Sequence, residues 1–360
     1  MTSPSVMEQI LDLARWAPSG DNTQVWRFEI IGDRHLVVHG FDTRSHCVYD
    51  LTGHPSQIAL GTLMETISIA ASAHGLETSV VRRADTPEIQ PVFDIYFNPG
   101  IGVQPSPLIP FIPQRTVQRR AMHTRPLSAA EKKALEEAVG SEYHILWIEG
   151  LLGRLKMARL MFSNAKLRLT MPEAYEVHRS IIEWNSRYSE DKVPDQALGL
   201  DPLTLKLMHW VMASWKRVQF FNTFLAGTLA PRLQLDFLPG LACAAHFLLI
   251  AKYKPATVDD YVLAGRAVQR FWLTLTSLNL YMQPEMTPLI FRGYARDHLS
   301  FSKVQAMHGS AKRLADRLDA IVEPQNPNLA VFMGRIGAAT APTARSLRLP
   351  VKQLLWKPEK

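Results

Sequence analysis

The sequence predicts an α+β fold in which mainly antiparallel sheets are flanked by helices, built as two related units in one chain with a helical insertion in the second. Three observations lead there. Short strand-like segments come in pairs, with long apolar helices between them. The helix-then-strand order that opens the chain returns after Pro126. Two long helical segments also carry the same punctuation. Leu60-Gly61 precedes Gly75-Leu76, Ala264-Gly265 precedes Asn279-Leu280, and Gly61 and Gly265 each stand fourteen residues ahead of their terminator. Glycine, or asparagine in its place, suits the left-handed residue that ends a helix. We read the pairing as an internal duplication. It sets the units at 1–125 and 126–360, with the insertion over about 150–260.

The elements follow in order. A first helix spans Ser5 to Trp16, with Ser3 or Ser5 as its cap and Val6, Ile10, Leu13 and Ala14 as its apolar stripe. Pro18 to Asn22 stops it. Strands Trp26–Ile31 and Leu36–His39 are joined by a turn at Gly32-Asp33. A helix from Ser56 to His74 leads to strands Thr78–Arg82 and Pro91–Phe97. A proline-rich connection, Pro105 to Pro113, opens onto Arg115, Arg119, Arg120 and Arg125. Ser128 caps a helix over Ala129–Val139, and Tyr143–Ile148 is a strand. The apolar run Leu238–Ala251 is too short to span a bilayer, which takes about 20 residues, and reads as a buried helix. Val262–Leu278 is the second long helix and Leu329–Met333 a closing strand. The insertion is helical and aromatic, with Trp184, Trp210, Trp215, Phe220, Phe221 and Phe224 expected in the core or walling a pocket. The polar segment Ser189–Leu200 is expected to be a mobile lid.

Composition narrows the function. With 47% hydrophobic residues in 360, the chain can bury a substantial core. No basic segment leads into an apolar one at the start, so a cytoplasmic location is expected. Cys47 and Cys243 make no disulfide framework or metal-ligand spacing, and no metal is expected. Cys243, inside an apolar run, reads as buried and inert. Glu173, Glu176 and His178 lack a further clustered ligand, and His123 and His178 are either acid–base groups or surface or packing histidines. The net charge of +7 is scattered and accompanies no nucleic-acid signature, so it points to anionic small-molecule ligands rather than nucleic acid, and with no run long enough to span a bilayer no membrane partner is expected.

The segment Arg15–Gln24 is the strongest candidate for such a ligand. Arg15 can cap the end of the first helix or bind a phosphate, and Asn22 can shape a turn or offer paired donor and acceptor groups, as can Gln24. Arg15-Trp-Ala-Pro-Ser-Gly-Asp-Asn-Thr-Gln-Val-Trp-Arg-Phe28 resembles the opening motif of the nitroreductase superfamily, which usually reads Arg-x-Ala-Pro-Ser-Gly-x-Asn-x-Gln-Pro-Trp-x-Phe. Val25 departs from the usual proline. Ile58 to Leu76, Leu280 to Thr287, and Phe332 to Gly337 with Arg345 to Pro350 are similar to further stretches of that family.

The resemblance implies a three-layer α/β/α fold and an FMN-dependent oxidoreductase. Arg15 and Ser19 would bind the phosphate or ribityl chain, and Asn22 and Gln24 the ribityl chain or ring edge. Arg345, Ser346 and Arg348 would close on the phosphate, and backbone amides of Met286 and Thr287 would face the flavin N5. Arg335 is either part of the site or a surface strand end. No catalytic side chain is implied, and His123 and His178 are then surface or packing histidines, because the flavin itself carries hydride. The substrate would be a small conjugated or nitroaromatic molecule, with NAD(P)H as electron donor. A non-catalytic FMN-binding or storage protein and a flavin-dependent tailoring oxidase are the alternatives. The length resembles a divergent subgroup with two units fused as a pseudo-dimer, so a monomeric pseudo-dimer or a homodimer is implied.

In the second unit the counterpart of Arg15 falls near Val139. No Pro-Ser-Gly-x-Asn follows there, and Glu136 and Glu137 would repel phosphate. One FMN per chain is therefore expected. Titration of apo-protein with FMN should plateau near one equivalent, and a plateau near two would refute the asymmetry.

Overall fold

A computed structural model describes residues 4–225, 227–323 and 325–358. Its helices are α1 (Val6–Ala14), α2 (His54–Ser72), α3 (Ala129–Val139), α4 (Gly150–Thr170), α5 (Pro172–Ile181), α6 (Pro202–Met212), α7 (Trp215–Phe224), α8 (Val258–Ser277), α9 (Thr287–Arg296) and α10 (Gln305–Val322), beside shorter turns. Its main strands are β1 (Trp26–Gly32), β2 (His35–Gly40), β3 (Leu76–Arg82), β4 (Val92–Pro99), β5 (Tyr143–Ile148), β6 (Ala245–Ala251), β7 (Tyr281–Pro284) and β8 (Ala330–Gly337).

Local chemistry sets the ends of these elements. Ser5 caps α1 and Ser128 caps α3, each in a reciprocal capping box with the glutamate three residues on. The alternative cap Ser3 lies outside the described residues. After α2 and α8 the chain turns through Gly75 (φ 67°) and Asn279 (φ 56°), the left-handed terminators expected from the sequence.

The strands form two four-stranded sheets, β1-β2-β4-β3 and β5-β6-β8-β7, and every pairing within them is antiparallel. The two sheets have the same strand order when each is numbered from its first strand. Each is preceded by a helix, α1 or α3, and each places a long helix, α2 or α8, between its second and third strands.

Helices α2 and α8 pack against each other at the centre. A Cβ placed on Gly61 would stand 2.0 Å from the Val262 carbonyl, and one on Gly265 would stand 2.0 Å from the Ile58 carbonyl. The contact is reciprocal: each glycine meets the carbonyl three residues before the other. Flanking polar groups lock the crossing, with Gln269 donating to Thr66 at 2.9 Å and Arg266 and Arg270 on Glu65 at 2.8 and 3.1 Å. The cores interchange members. Val258 and Val262 of α8 join the core under the first sheet, and Ile58 of α2 joins the one under the second. The C-terminal segment also returns to the first core through Leu354, and the Trp356 amide donates to the Phe28 carbonyl at 2.7 Å.

Two expectations are corrected. The run Leu238–Ala251 is not one buried helix. Its second half is β6, buried at every position and central in its sheet, with Leu248 opposite both Leu146 and Met333. A strand covered on both faces has no polar alternation, so periodicity cannot separate it from a buried helix. The helical excursion therefore ends before Ala245. The insertion aromatics are not all core either. Trp210, Phe220 and Phe224 are 52%, 54% and 71% exposed, because α6 and α7 turn only one side inward. No helix among the described residues is long and apolar enough to cross a membrane.

The helix crossing tolerates no side chain. Gly265→Val should destabilise the fold by about 3 kcal/mol or more, since the intruding carbons meet backbone rather than a flexible side chain. Urea unfolding measures this, and a loss below ~1 kcal/mol would show that the helices can separate freely.

Candidate functional site

The segment between α1 and β1 must reverse the chain in a few residues. Asp21, Asn22 and Gln24 do so in the left-handed region, at φ 50°, 64° and 48°. Such non-glycine backbone is costly and persists only where the surroundings hold it. The Thr62 hydroxyl donates to the Pro18 carbonyl at 2.9 Å, and the Gln24 amide donates to Ser19 Oγ at 2.9 Å. Asn22 Nδ2 donates to the carbonyls of Glu190, Lys192 and Leu347, while Gln24 Nε2 donates to Glu190 and its Oε1 accepts from the Leu349 amide. Residues Arg345–Ser346 pair in parallel with Tyr188–Ser189. These bonds tie the loop to the tail and to the start of the segment expected to be a free lid. That segment is thus stitched down at Ser189–Lys192.

Beside the loop lies a cavity of about 440 Å³, within the range of small-molecule sites, roughly 300–1,000 Å³. One end carries Arg115, Arg345 and Arg348. Their guanidinium groups are anchored on carbonyls: Arg115 on Trp16, Arg345 on Arg115 and Arg348 on Ala17, at 3.0–3.1 Å. Among the described residues none of the three has a carboxylate partner, and the Nε atoms of Arg115 and Arg345 are buried without any partner. Burial, together with the neighbouring Arg348 and Arg345, pushes Arg115 well down from its ordinary value. Burial, with Arg345 and Arg15, pushes Arg348 down to about 9. A guanidinium holds its proton under such pressure. The cost therefore falls on the folded protein, and a neighbouring negative charge would relieve it.

The middle of the cavity is framed by α2 and α8, through Ile58, Thr62, Val268 and Trp272, and by the segment Gln283–Thr287. Behind that segment sits a fully buried network. Glu285 pairs with Arg335 at 2.9 Å and with His246 Nδ1 at 2.8 Å; His246 Nε2 lies 2.7 Å from the Gly240 carbonyl. That carbonyl can only accept, so Nε2 carries a proton. Burial alone would lower His246, but the Glu285 carboxylate outweighs it and holds the imidazolium up at about 10. Arg335 also donates to the Arg119 carbonyl at 2.7 Å.

The far end is closed by the insertion, with Met161, Met208, Met212 and Leu235 beside an Arg168–Asp236 ion pair of 2.8 Å. Here Tyr49 and His178 share a hydrogen bond of 3.0 Å. Burial and the adjacent Arg168 push His178 down to about 3, so it is neutral. Burial pushes the Cys47 thiol up to about 12, which removes it as a nucleophile. His178 is thus a cavity-lining group rather than a surface or packing histidine. No group of three metal-binding side chains occurs among the described residues.

Of the residues singled out from the sequence, Ser19, Asn22, Met286, Thr287, Arg345, Ser346 and Arg348 line the cavity together. Arg15 and Gln24 do not. Arg15 pairs with Asp12 at 2.8 Å and donates to the Arg348 carbonyl, and Gln24 is buried in the loop's own bonding. Arg335 is not a surface strand end, since it is 1% exposed. Sequence reasoning noticed Arg115 and Arg119 only as a basic stretch and missed the Glu285–His246–Arg335 network. A signal for the latter was present: an arginine inside an otherwise apolar strand requires a buried partner.

No family model matches the chain. It is 24% identical over 349 residues to a Mycobacterium tuberculosis protein named "Uncharacterized protein MT1398", a match covering 95% of this chain and 47% of that one. The chain thus spans about half the length of this curated relative. Among solved structures, a nitroreductase-like family protein from Bacillus cereus matches 71% of this chain and 97% of its own at 11% identity, with a TM-score of 0.35. The FMN-dependent nitroreductase NfnB from Mycobacterium smegmatis, in complex with NADPH, matches 69% and 96% at 16% identity, also with a TM-score of 0.35. Both are loose likenesses of shape.

The raised His246 has a consequence for stability. A group held above its ordinary value of 6.5 contributes fully below that pH and loses its contribution as the pH rises through about 10. The stability difference between wild type and His246→Gln should therefore shrink from pH 7 to 10, by on the order of a few kcal/mol. Urea unfolding across that range tests it, and a constant difference would show that His246 is not charged.

Proposed function

We propose that the cavity binds one FMN and that the protein is an FMN-dependent oxidoreductase of the nitroreductase type, acting on a small conjugated or nitroaromatic molecule. The observation that carries this reading is the group of three buried arginines, Arg115, Arg345 and Arg348, without a carboxylate among the described residues. A phosphate with about two negative charges is the kind of group such a cluster accepts. The opening motif Arg15–Phe28, whose family resemblance suggested the cofactor, wraps this same end of the cavity.

The residues present fit the group. Arg115, Arg345, Arg348 and the Ser19 hydroxyl would hold the phosphate, with Arg15 behind them bracing the Arg348 backbone. Asn22 Oδ1 and Gln283 Oε1 are buried acceptors without a partner, and both residues line the cavity. They would take hydroxyl or ring N–H groups. Bound FMN supplies two-electron hydride transfer. The chain's own part is to orient and to exclude water. Ile58, Val268, Trp272 and Phe332 supply dry walls, and buried Arg335 and half-buried Arg119 place positive charge beside the cavity. The far end would admit electron donor and acceptor in turn, with NAD(P)H as the donor.

The matching topology of the two sheets and the reciprocal glycine contact support a fused pair of units, 1–125 and 126–360. The pair is unequal. Eleven residues separate α1 from β1, whereas only three, Gly140 to Glu142, separate α3 from β5. The second unit has no room for the phosphate loop.

One observation favours a second reading, a non-catalytic FMN-binding protein. The segment Glu190–Lys192 is bonded to Asn22, Gln24 and Ser346, which closes the cavity's side. Anaerobic mixing with NADPH separates the two, because a flavin that never bleaches favours storage.

The arginines provide the sharper test. Arg115→Met and Arg348→Met should each weaken FMN binding roughly 10- to 100-fold, the loss of one charge-assisted contact. Arg15→Ala should keep most of the flavin. Visible absorbance of the purified variants and fluorescence titration read this out. A double Arg115→Met/Arg348→Met variant that binds FMN like wild type would refute the site.

A further inference from the structure

From Pro202 to Leu235 the chain contains no aspartate or glutamate, while Lys206, Lys216, Arg217 and Arg232 are all cationic. This stretch folds as the hairpin of α6 and α7 and the turns that follow. Its outer surface is apolar. Leu203, Leu207 and Trp210 lie four and three residues apart on one face of α6 and are 77%, 48% and 52% exposed. On α7, Phe220 and Phe224 lie one turn apart, with ring centroids at 5.2 Å, and both are more than half exposed. Phe221 bridges the helices, its ring 5.8 Å from Trp210 and 6.1 Å from Phe220. Arg217 lies against Trp210 at 4.5 Å. The result is an exposed aromatic and aliphatic surface with Arg217 against it. Such a patch on one face of a protein marks an interaction site.

We infer that this hairpin docks on an anionic lipid bilayer. Three features select that occupant. Exposed aromatic side chains beside lysine and arginine on short surface helices are the composition that lies in the headgroup region. The unbroken positive charge is complementary to anionic lipid, and each cation near such a surface strengthens binding roughly fivefold. A second copy of this chain is the poorer occupant, because a symmetric contact would set the same uncompensated cations against each other. The inference departs from the expectation of no membrane partner, which considered only segments able to span. It does not rest on the identity of the cofactor. The face of α6 turned away from the patch carries Met208 and Met212 into the cavity wall, so a docked hairpin holds that wall at the bilayer.

The test is co-sedimentation of the full chain with vesicles of phosphatidylcholine alone or mixed with phosphatidylglycerol, at low and near-physiological salt. Binding to the mixed vesicles is expected, with a blue shift of tryptophan emission. Trp210→Ser/Phe220→Ser/Phe224→Ser, changing exposed residues only, should lose at least tenfold in binding while keeping the wild-type circular dichroism. Lys206→Glu/Lys216→Glu should lose the preference for anionic lipid. Three outcomes overturn the inference: no binding to mixed vesicles above the neutral ones, unchanged binding by the triple variant, or a stable dimer of the wild type that the triple variant dissolves.

Discussion

The close crossing of α2 and α8 is the constraint on which the rest depends. Two helix backbones meet at Gly61 and Gly265, with no side chain between them. At that distance the helices cannot be independent. Each contributes to the core beneath the other's sheet, and the loop ends on either side are brought within reach of one another. The opening loop hangs on α2 through Thr62. The segment Gln283–Thr287 follows α8 and β7. The cavity lies between, and its position is a product of the crossing rather than of either half.

Electrostatics then give the cavity its character. Most arginines of this chain are paired with carboxylates or lie in solvent, yet Arg115, Arg345 and Arg348 are gathered and bound only to carbonyls. Burying like charges together opposes folding. The protein holds them because the Trp16–Ala17 carbonyls and the returning tail fix each guanidinium. The Glu285–His246–Arg335 network is the opposite case. There every charge has a partner, with two cations on one carboxylate, although the Arg335 Nε itself is left without a hydrogen bond. An uncompensated cluster thus stands next to a compensated one in the same cavity.

Much of the fold was legible because local signals were strong. Ser5 and Ser128 with their glutamates, Gly75 and Asn279, and the alternating strands each specify an element without distant help. The failures have physical causes. Leu248 and its neighbours are buried on both faces, so no alternation marks them as a strand. Trp210 and Phe224 are large and apolar, and sequence alone assigns such residues to a core, but α6 and α7 have only one side covered. At the site, Arg345 and Arg348 of the motif line the cavity, the side chain of Arg15 pairs with Asp12 outside it, and Arg115, some hundred residues away, lines it without any motif to mark it.

The sequence by itself determined the α+β class, most helix ends and strands, and the opening loop with its arginine-bearing tail, because these are written in contiguous residues whose propensities agree. Tertiary structure decided which arginines meet, that Asn22 and Gln24 bind carbonyls of Glu190 and its neighbours, that His246 is charged, and that an aromatic face is left in solvent. The first three depend on groups more than thirty residues apart, which no local pattern encodes, and the last on how little of the rest of the chain covers α6 and α7.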